Sequence, residues 1–118
     1  MGMTTIGAKV SNPADISRSA EVEFIVDSGA MYSVVPRTVL QALGIVPHTT
    51  KRFYLADGQG IDRQIGLAFF EYLGERSSAP VIFGEEGDAP LMGATTLEGF
   101  GFVLDPFRRE LRPMMMRM

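Results

Sequence analysis

Residues 22–30, VEFIVDSGA, take an apolar, β-rich run straight into a turn of small residues headed by a carboxylate, Asp27. Valine, isoleucine and phenylalanine fit a pleated, half-buried surface, so this run predicts a strand through the core. Gly29 then lets the turn close tightly or admits another backbone nearby. A carboxylate at the end of a buried strand is costly unless it is hydrogen-bonded or keeps its proton. Asp27 is therefore the first candidate for chemistry.

Glycine, proline, asparagine and aspartate cut the rest of the chain into short apolar stretches, which predicts a mainly β domain. Strands are expected over residues 4–10, 21–26, 33–35, 51–56, 61–72, 81–84 and 101–105 and from 110 onward, with 11–19 as a polar connection. Pro36 opens RTVLQALG, where Val39, Leu40 and Leu43 share a helical face and Gly44 stands at the helix end. ATTLEG, after Leu91, Met92 and Gly93, is expected to form a second short helix. Asp57-Gly58 between two strand-like runs marks a hairpin, because tight turns need positive φ. No repeat of 20–50 residues is visible, and 118 residues hold one core, so residues 1–118 are expected to form a single domain.

Composition removes several classes of function. A net charge of −3 offers no basic stripe, so no nucleic-acid partner is expected. The chain has no cysteine, which excludes disulfides, a thiol nucleophile and zinc–thiolate sites; it fits a reducing compartment, and a cytoplasmic location is expected. A single histidine, His48, removes most metal-ligand sets, and its place after Pro47 reads as solvated. No metal and no cofactor is expected. No apolar run approaches the roughly 20 residues needed to span a bilayer, and MGMTTIGAKV lacks the pattern of a signal peptide, so no membrane partner is expected. Met1-Gly2 is a weak match to a myristoylation signal. Glu85, Glu86 and Asp88 read as a solvent-facing acidic turn without the spacing of a calcium loop. Phe69, Phe70 and Tyr72 read as core or pocket wall. What remains for chemistry is carboxylates, hydroxyls and backbone.

Three separated segments resemble the retropepsin-like aspartic proteases. FIVDSGA matches the signature of two apolar residues, Asp, Ser or Thr, Gly and Ala. LADGQGI supplies a glycine-bearing hairpin where that family has its flap, and PLMGATTLEGFGFVLDP matches its late pattern of two apolar residues, Gly, a short helix and a strand. D-S-G alone is weak, since aspartate commonly forms such turns; the ordered set carries the likeness, over about residues 10–113. The resemblance implies a closed-barrel-like retropepsin (acid protease) fold with one or two short helices, forming a two-fold symmetric homodimer. It implies an endopeptidase whose partners are a second copy of itself and a peptide or protein substrate. Two Asp27 carboxylates, one from each copy, would share a proton and activate a water toward an amide carbonyl.

The same resemblance assigns the neighbours. Ser28 and Gly29 support the active-site loop, Ser28 either across the two-fold axis or by capping its own turn. Ala30, with Ala56, Asp57, Gly58 and Gln59 of the flap, would bind substrate, Asp57 as a turn former rather than a second catalytic acid. Leu91, Met92 and Gly93 would pack beneath the Asp27 loop. The chain departs from the family in having Ser28 for the commoner Thr, a flap turn poorer in glycine, and Met92 for a branched aliphatic residue. The tail MMMRM is open to two roles, extending a dimer sheet or fraying. The rival reading is a catalytically silent dimeric β-domain that binds extended peptides. A serine hydrolase built on Ser28 is rejected, because no G-x-S-x-G elbow is present.

Overall fold

Val22, Phe24 and Val26 face inward while Glu21 and Glu23 face water, the period-two pattern of a half-buried strand. In the computed structural model, which describes residues 3–118, this run is the inner half of a longer strand. The elements are β1 (Thr5–Asn12), β2 (Asp15–Val26), β3 (Ser33–Pro36), α1 (Arg37–Ala42), β4 (Thr49–Tyr54), β5 (Gly60–Tyr72), β6 (Glu75–Gly84), β7 (Leu91–Met92), α2 (Ala94–Phe100), β8 (Phe102–Asp105) and β9 (Glu110–Pro113). The mainly β expectation and both short helices hold. The myristoylation signal at residues 1–2 lies outside the described residues.

Two expectations about connections are corrected. The segment 11–19 is not a loop: β1 runs to Asn12 and β2 begins at Asp15, with Ser11 opposite Ser19. Beyond buried Ser11 and half-buried Asn12, its polar side chains belong to the exposed arm of a hairpin whose backbone is satisfied by the ladder, and composition alone does not reveal such pairing. This arm has a task. Asn12 Nδ2 donates to Leu43 O at 2.9 Å and Arg18 Nη2 to Ala42 O at 2.9 Å. Both occupy carbonyls that α1 leaves without partners at its C-terminal end, where Gly44 takes φ 77° as expected of a helix terminator. The second correction is at β6, which starts at Glu75 rather than at 81. Leu73 (φ 50°) and Gly74 (φ 80°) form a two-residue turn between Tyr72 and Glu75. A leucine in a left-handed position carries no turn signal, so the hairpin was hidden.

Seven strands form one sheet in the order β1-β2-β7-β3-β6-β5-β4, and β1 also pairs with β5. β8 and β9 form a separate antiparallel pair. Phe24, Phe70, Phe83, Leu40, Val10, Val35 and Val81 are fully buried between these surfaces. Phe24 and Phe70 meet with ring centroids 6.1 Å apart, and Tyr72 packs edge-on against Phe102, so the core reading holds for Phe70 and Tyr72, while Phe69 is half-buried on the opposite face of β5. His48 is exposed, as expected. The tail turns back on the domain: Met114 N–H donates to Gly101 O at 2.8 Å, and Met116 lies where a Cβ on Gly101 would be. Among the described residues no helix is long and apolar enough to cross a membrane.

Phe70 sits where β1, β2 and β5 meet, so Phe70→Ala is expected to destabilise the domain by about 3–5 kcal/mol. Urea denaturation followed by circular dichroism measures this as a lowered midpoint.

Candidate active site

The Asp27 turn hangs from a parallel pairing. Ile25 lies opposite Leu91 and Val26 opposite Met92, and Asp27 N–H continues the ladder by donating to Met92 O at 3.0 Å. Burial ends there. Val26 is buried but Asp27 is exposed, so the expectation of a carboxylate at a buried position is corrected: the strand is interior and its last residue emerges from it. The turn is closed by its own acid. Asp27 Oδ1 accepts the Gly29 N–H at 2.9 Å, and Asp27 O accepts the Ala30 N–H at 3.1 Å. Ser28 is exposed at the crest of this turn.

Leu91, Met92 and Gly93 lie beneath the turn. A Cβ on Gly93 would sit 2.6 Å from both C and O of Tyr32 and 3.0 Å from Ala30 O, so only glycine admits this approach. The first residues of α2 then take up the turn's carbonyls: Ala94 N–H donates to Ala30 O at 2.8 Å and Thr95 N–H to Met31 O at 3.0 Å. Two hydroxyls that the sequence reading missed complete the support. Ser33 Oγ accepts the Gly93 N–H at 3.0 Å and lies 2.6 Å from Thr96 Oγ1, and both side chains are fully buried. The available signal was Ser33 standing in phase with buried Val35 on β3, since a polar group at a core position needs a partner.

The flap-like hairpin is present between β4 and β5. Leu55 O accepts the Gly58 N–H at 2.9 Å, Leu55 N–H donates to Gln59 O at 2.8 Å, and Gly58 takes φ 87°. Asp57 Oδ1 accepts the Gln59 N–H at 2.9 Å, which makes it a turn former. Ala56, Asp57, Gly58 and Gln59 are all exposed at the tip. The hairpin's base, not its tip, walls a cleft of about 470 Å³ together with the Asp27 turn; Ala30, Tyr32, Phe53, Leu55, Ile61 and Leu91 line it. Tyr32 and Phe53 join the two walls in an edge-on contact at 6.3 Å. Asp27 itself opens on a neighbouring groove with Thr4, Ile25, Leu104 and Phe107.

The acidic turn is not simply solvent-facing. Asp88 receives two hydrogen bonds from Arg63, at 2.7 and 3.0 Å, and one from Glu85 N–H at 2.8 Å. Glu85 pairs with Arg37 at 2.6 Å, and Arg37 also reaches Gln64 Oε1 at 2.7 Å. These arginines come from β5 and α1, far off in sequence, so the pairs were invisible locally. They fasten the loop whose Gly87, Asp88 and Ala89 form the third wall of the cleft. Hydrogen bonding from Arg63, against the opposing effect of burial, holds the Asp88 carboxyl below its ordinary value, and Arg37 does the same for Glu85. A carboxyl depressed in the folded state stabilises it above the unfolded value and loses that contribution as pH falls through the folded one. Acidification below about pH 4 should therefore weaken the domain, and Asp88→Asn should flatten that part of the stability–pH curve measured by urea denaturation. Gly93→Ala, which drives a Cβ into the Tyr32 backbone, is expected to destabilise by about 1–3 kcal/mol in the same measurement at neutral pH.

The aspartyl protease family model matches residues 12–93, a stretch that contains the Asp27 turn, the hairpin and Gly93. No curated protein matches this sequence. In structure the chain is similar to the solution structure of the simian foamy virus (mac) protease, with a TM-score of 0.56 and 18% identity, over 80% of this chain and 91% of that one. At that identity the likeness is one of fold, and the fold is retropepsin-like. The ladder into Asp27, the Gly93 approach beneath it and the hairpin beside it all fall within the matched residues, and this chain belongs to the aspartyl protease family.

Proposed function

We propose that this chain is one half of a homodimeric aspartic endopeptidase, in which the Asp27 carboxylates of two copies activate a single water. The carrying observation is where Asp27 stands. It is exposed at the end of an otherwise buried strand, on a turn held by Met92, Gly93 and the first residues of α2. That placement is rigid yet open, and it suits a group that must meet its own copy. A two-fold axis makes one surface meet itself, so a single carboxylate per chain becomes a pair.

Two carboxylates at hydrogen-bond distance cannot both ionise cheaply and hold one proton between them. The ionised member takes a proton from the water, which attacks the amide carbonyl. The protonated member hydrogen-bonds the carbonyl oxygen as the tetrahedral intermediate forms, and the carboxyl that took the water's proton passes it to the amine nitrogen as the C–N bond breaks. The ring of pairings in which β1 bonds both β2 and β5 supports a barrel-like body for each half. The cleft favours an extended peptide with apolar side chains beside the cut bond, because Tyr32, Phe53, Ile61 and Leu91 supply apolar walls. Backbone groups of the hairpin, with Ala56, Asp57, Gly58 and Gln59 at its tip, would add the peptide as a further strand and cover it.

Incubation with an unstructured peptide library across acidic to neutral pH tests this reading. Cleavage at apolar sites is expected, blocked by a statine-type inhibitor and reduced by about 10²–10⁴-fold in Asp27→Asn. Undiminished cleavage by that variant would refute the mechanism.

A further inference from the structure

The face around Asp27 is built partly by a hairpin that lies beyond the family-matched residues, β8–β9. Asp27 shares a groove of about 400 Å³ with Thr4, Ile25, Leu104, Pro106 and Phe107. Phe107, at the hairpin's tip, is 95% exposed. The turn that carries it is nevertheless tightly held. Asp105 Oδ1 accepts the N–H groups of Phe107 and Arg108 at 2.9 and 3.1 Å, and Arg112 reaches the other carboxylate oxygen at 3.2 Å. Arg109 N–H donates to Asp105 O at 2.8 Å. Arg109 takes φ 54°, a left-handed conformation that side chains other than glycine adopt rarely. Thr4 Oγ1 donates to Arg109 O at 3.0 Å, which ties the turn to the segment leading into β1.

A large apolar ring held in water on a braced turn is unfavourable for the isolated chain. Rigid aromatic side chains of this kind are the usual anchors of protein interfaces. We infer that Phe107 anchors the docking of two copies of this chain around Asp27, seating against the partner's groove formed by Ile25, Leu104 and Pro106. The inference rests on the homodimeric reading above and names the surface that reading needs. An axis that brings Asp27 to its own copy also brings together the residues flanking it, and contacts at such an axis are reciprocal. Each Phe107 therefore meets the other chain's groove, and two anchors are gained from one residue. The second copy is the occupant that the chemistry requires, because a lone chain carries only one of the two carboxylates.

Sedimentation equilibrium of the full chain, paired with specific activity measured against concentration, tests this. Phe107 is exposed, so Phe107→Ala should fold as the native chain does, with an unchanged circular dichroism spectrum. The variant is expected to raise the dimer dissociation constant at least tenfold, and Phe107→Leu to recover most of the loss. Its specific activity should fall on dilution at correspondingly higher concentrations and reach the native value once the protein is concentrated enough to pair. Equal dissociation constants for native and Phe107→Ala would overturn the inference and assign this face to some other occupant. A native chain that dimerises through Phe107 without cutting peptides would uphold the interface and refute the catalytic reading. A native chain that cuts while monomeric would overturn the interface and the two-copy mechanism together.

Discussion

The close approach between Gly93 and the Tyr32 backbone is the constraint on which the site's geometry depends. Without a side chain at 93, the start of α2 comes near enough for its N–H groups to take the carbonyls of Ala30 and Met31. Those bonds, with the ladder from β2 to β7, leave the Asp27 turn with its backbone groups committed on both sides. The buried pair Ser33 and Thr96 closes the remaining polar account beneath it. An exposed turn is thus held by an interior arrangement of backbone and hydroxyl bonds. Short hydrogen bonds to buried hydroxyls matter more here than in water, since an unmatched donor in the interior is expensive.

Much of this was legible in the sequence because it rests on local chemistry. Alternation in VEFIV marked the strand, Asp57-Gly58 marked the hairpin, and Gly44 marked the end of α1. The lower support of Leu91, Met92 and Gly93 followed from a pattern rather than from any visible contact. What stayed hidden depends on partners remote in the chain. The polar arm of 11–19 reads as a loop until its ladder and its bonds to Leu43 and Ala42 are seen. Glu85 and Asp88 read as surface acids until Arg37 and Arg63 arrive from other elements. Leu73 occupies a left-handed turn position against its own preference, and no local signal announces that.

Two arginine–carboxylate pairs, Arg37–Glu85 and Arg63–Asp88, stand on the far wall of the cleft, where they hold a loop in place. Lys51 adds a cation over the Tyr32 ring at 5.9 Å, bracing the junction between the hairpin and the turn. Asp27 stands on the other side of that turn, in a groove lined by Thr4, Ile25, Leu104 and Arg109.

β4 occupies one end of the sheet order and is bonded through its ladder with β5. Every other strand of that sheet has neighbours on two sides. The hairpin is thus held by backbone bonds along one edge, like a door on a single jamb. Beyond that ladder it meets the opposite wall through side chains, Phe53 and Lys51 against Tyr32. The bonds that carry the hairpin and the ladders that close the body are consequently separate sets, and loosening the first need not loosen the second.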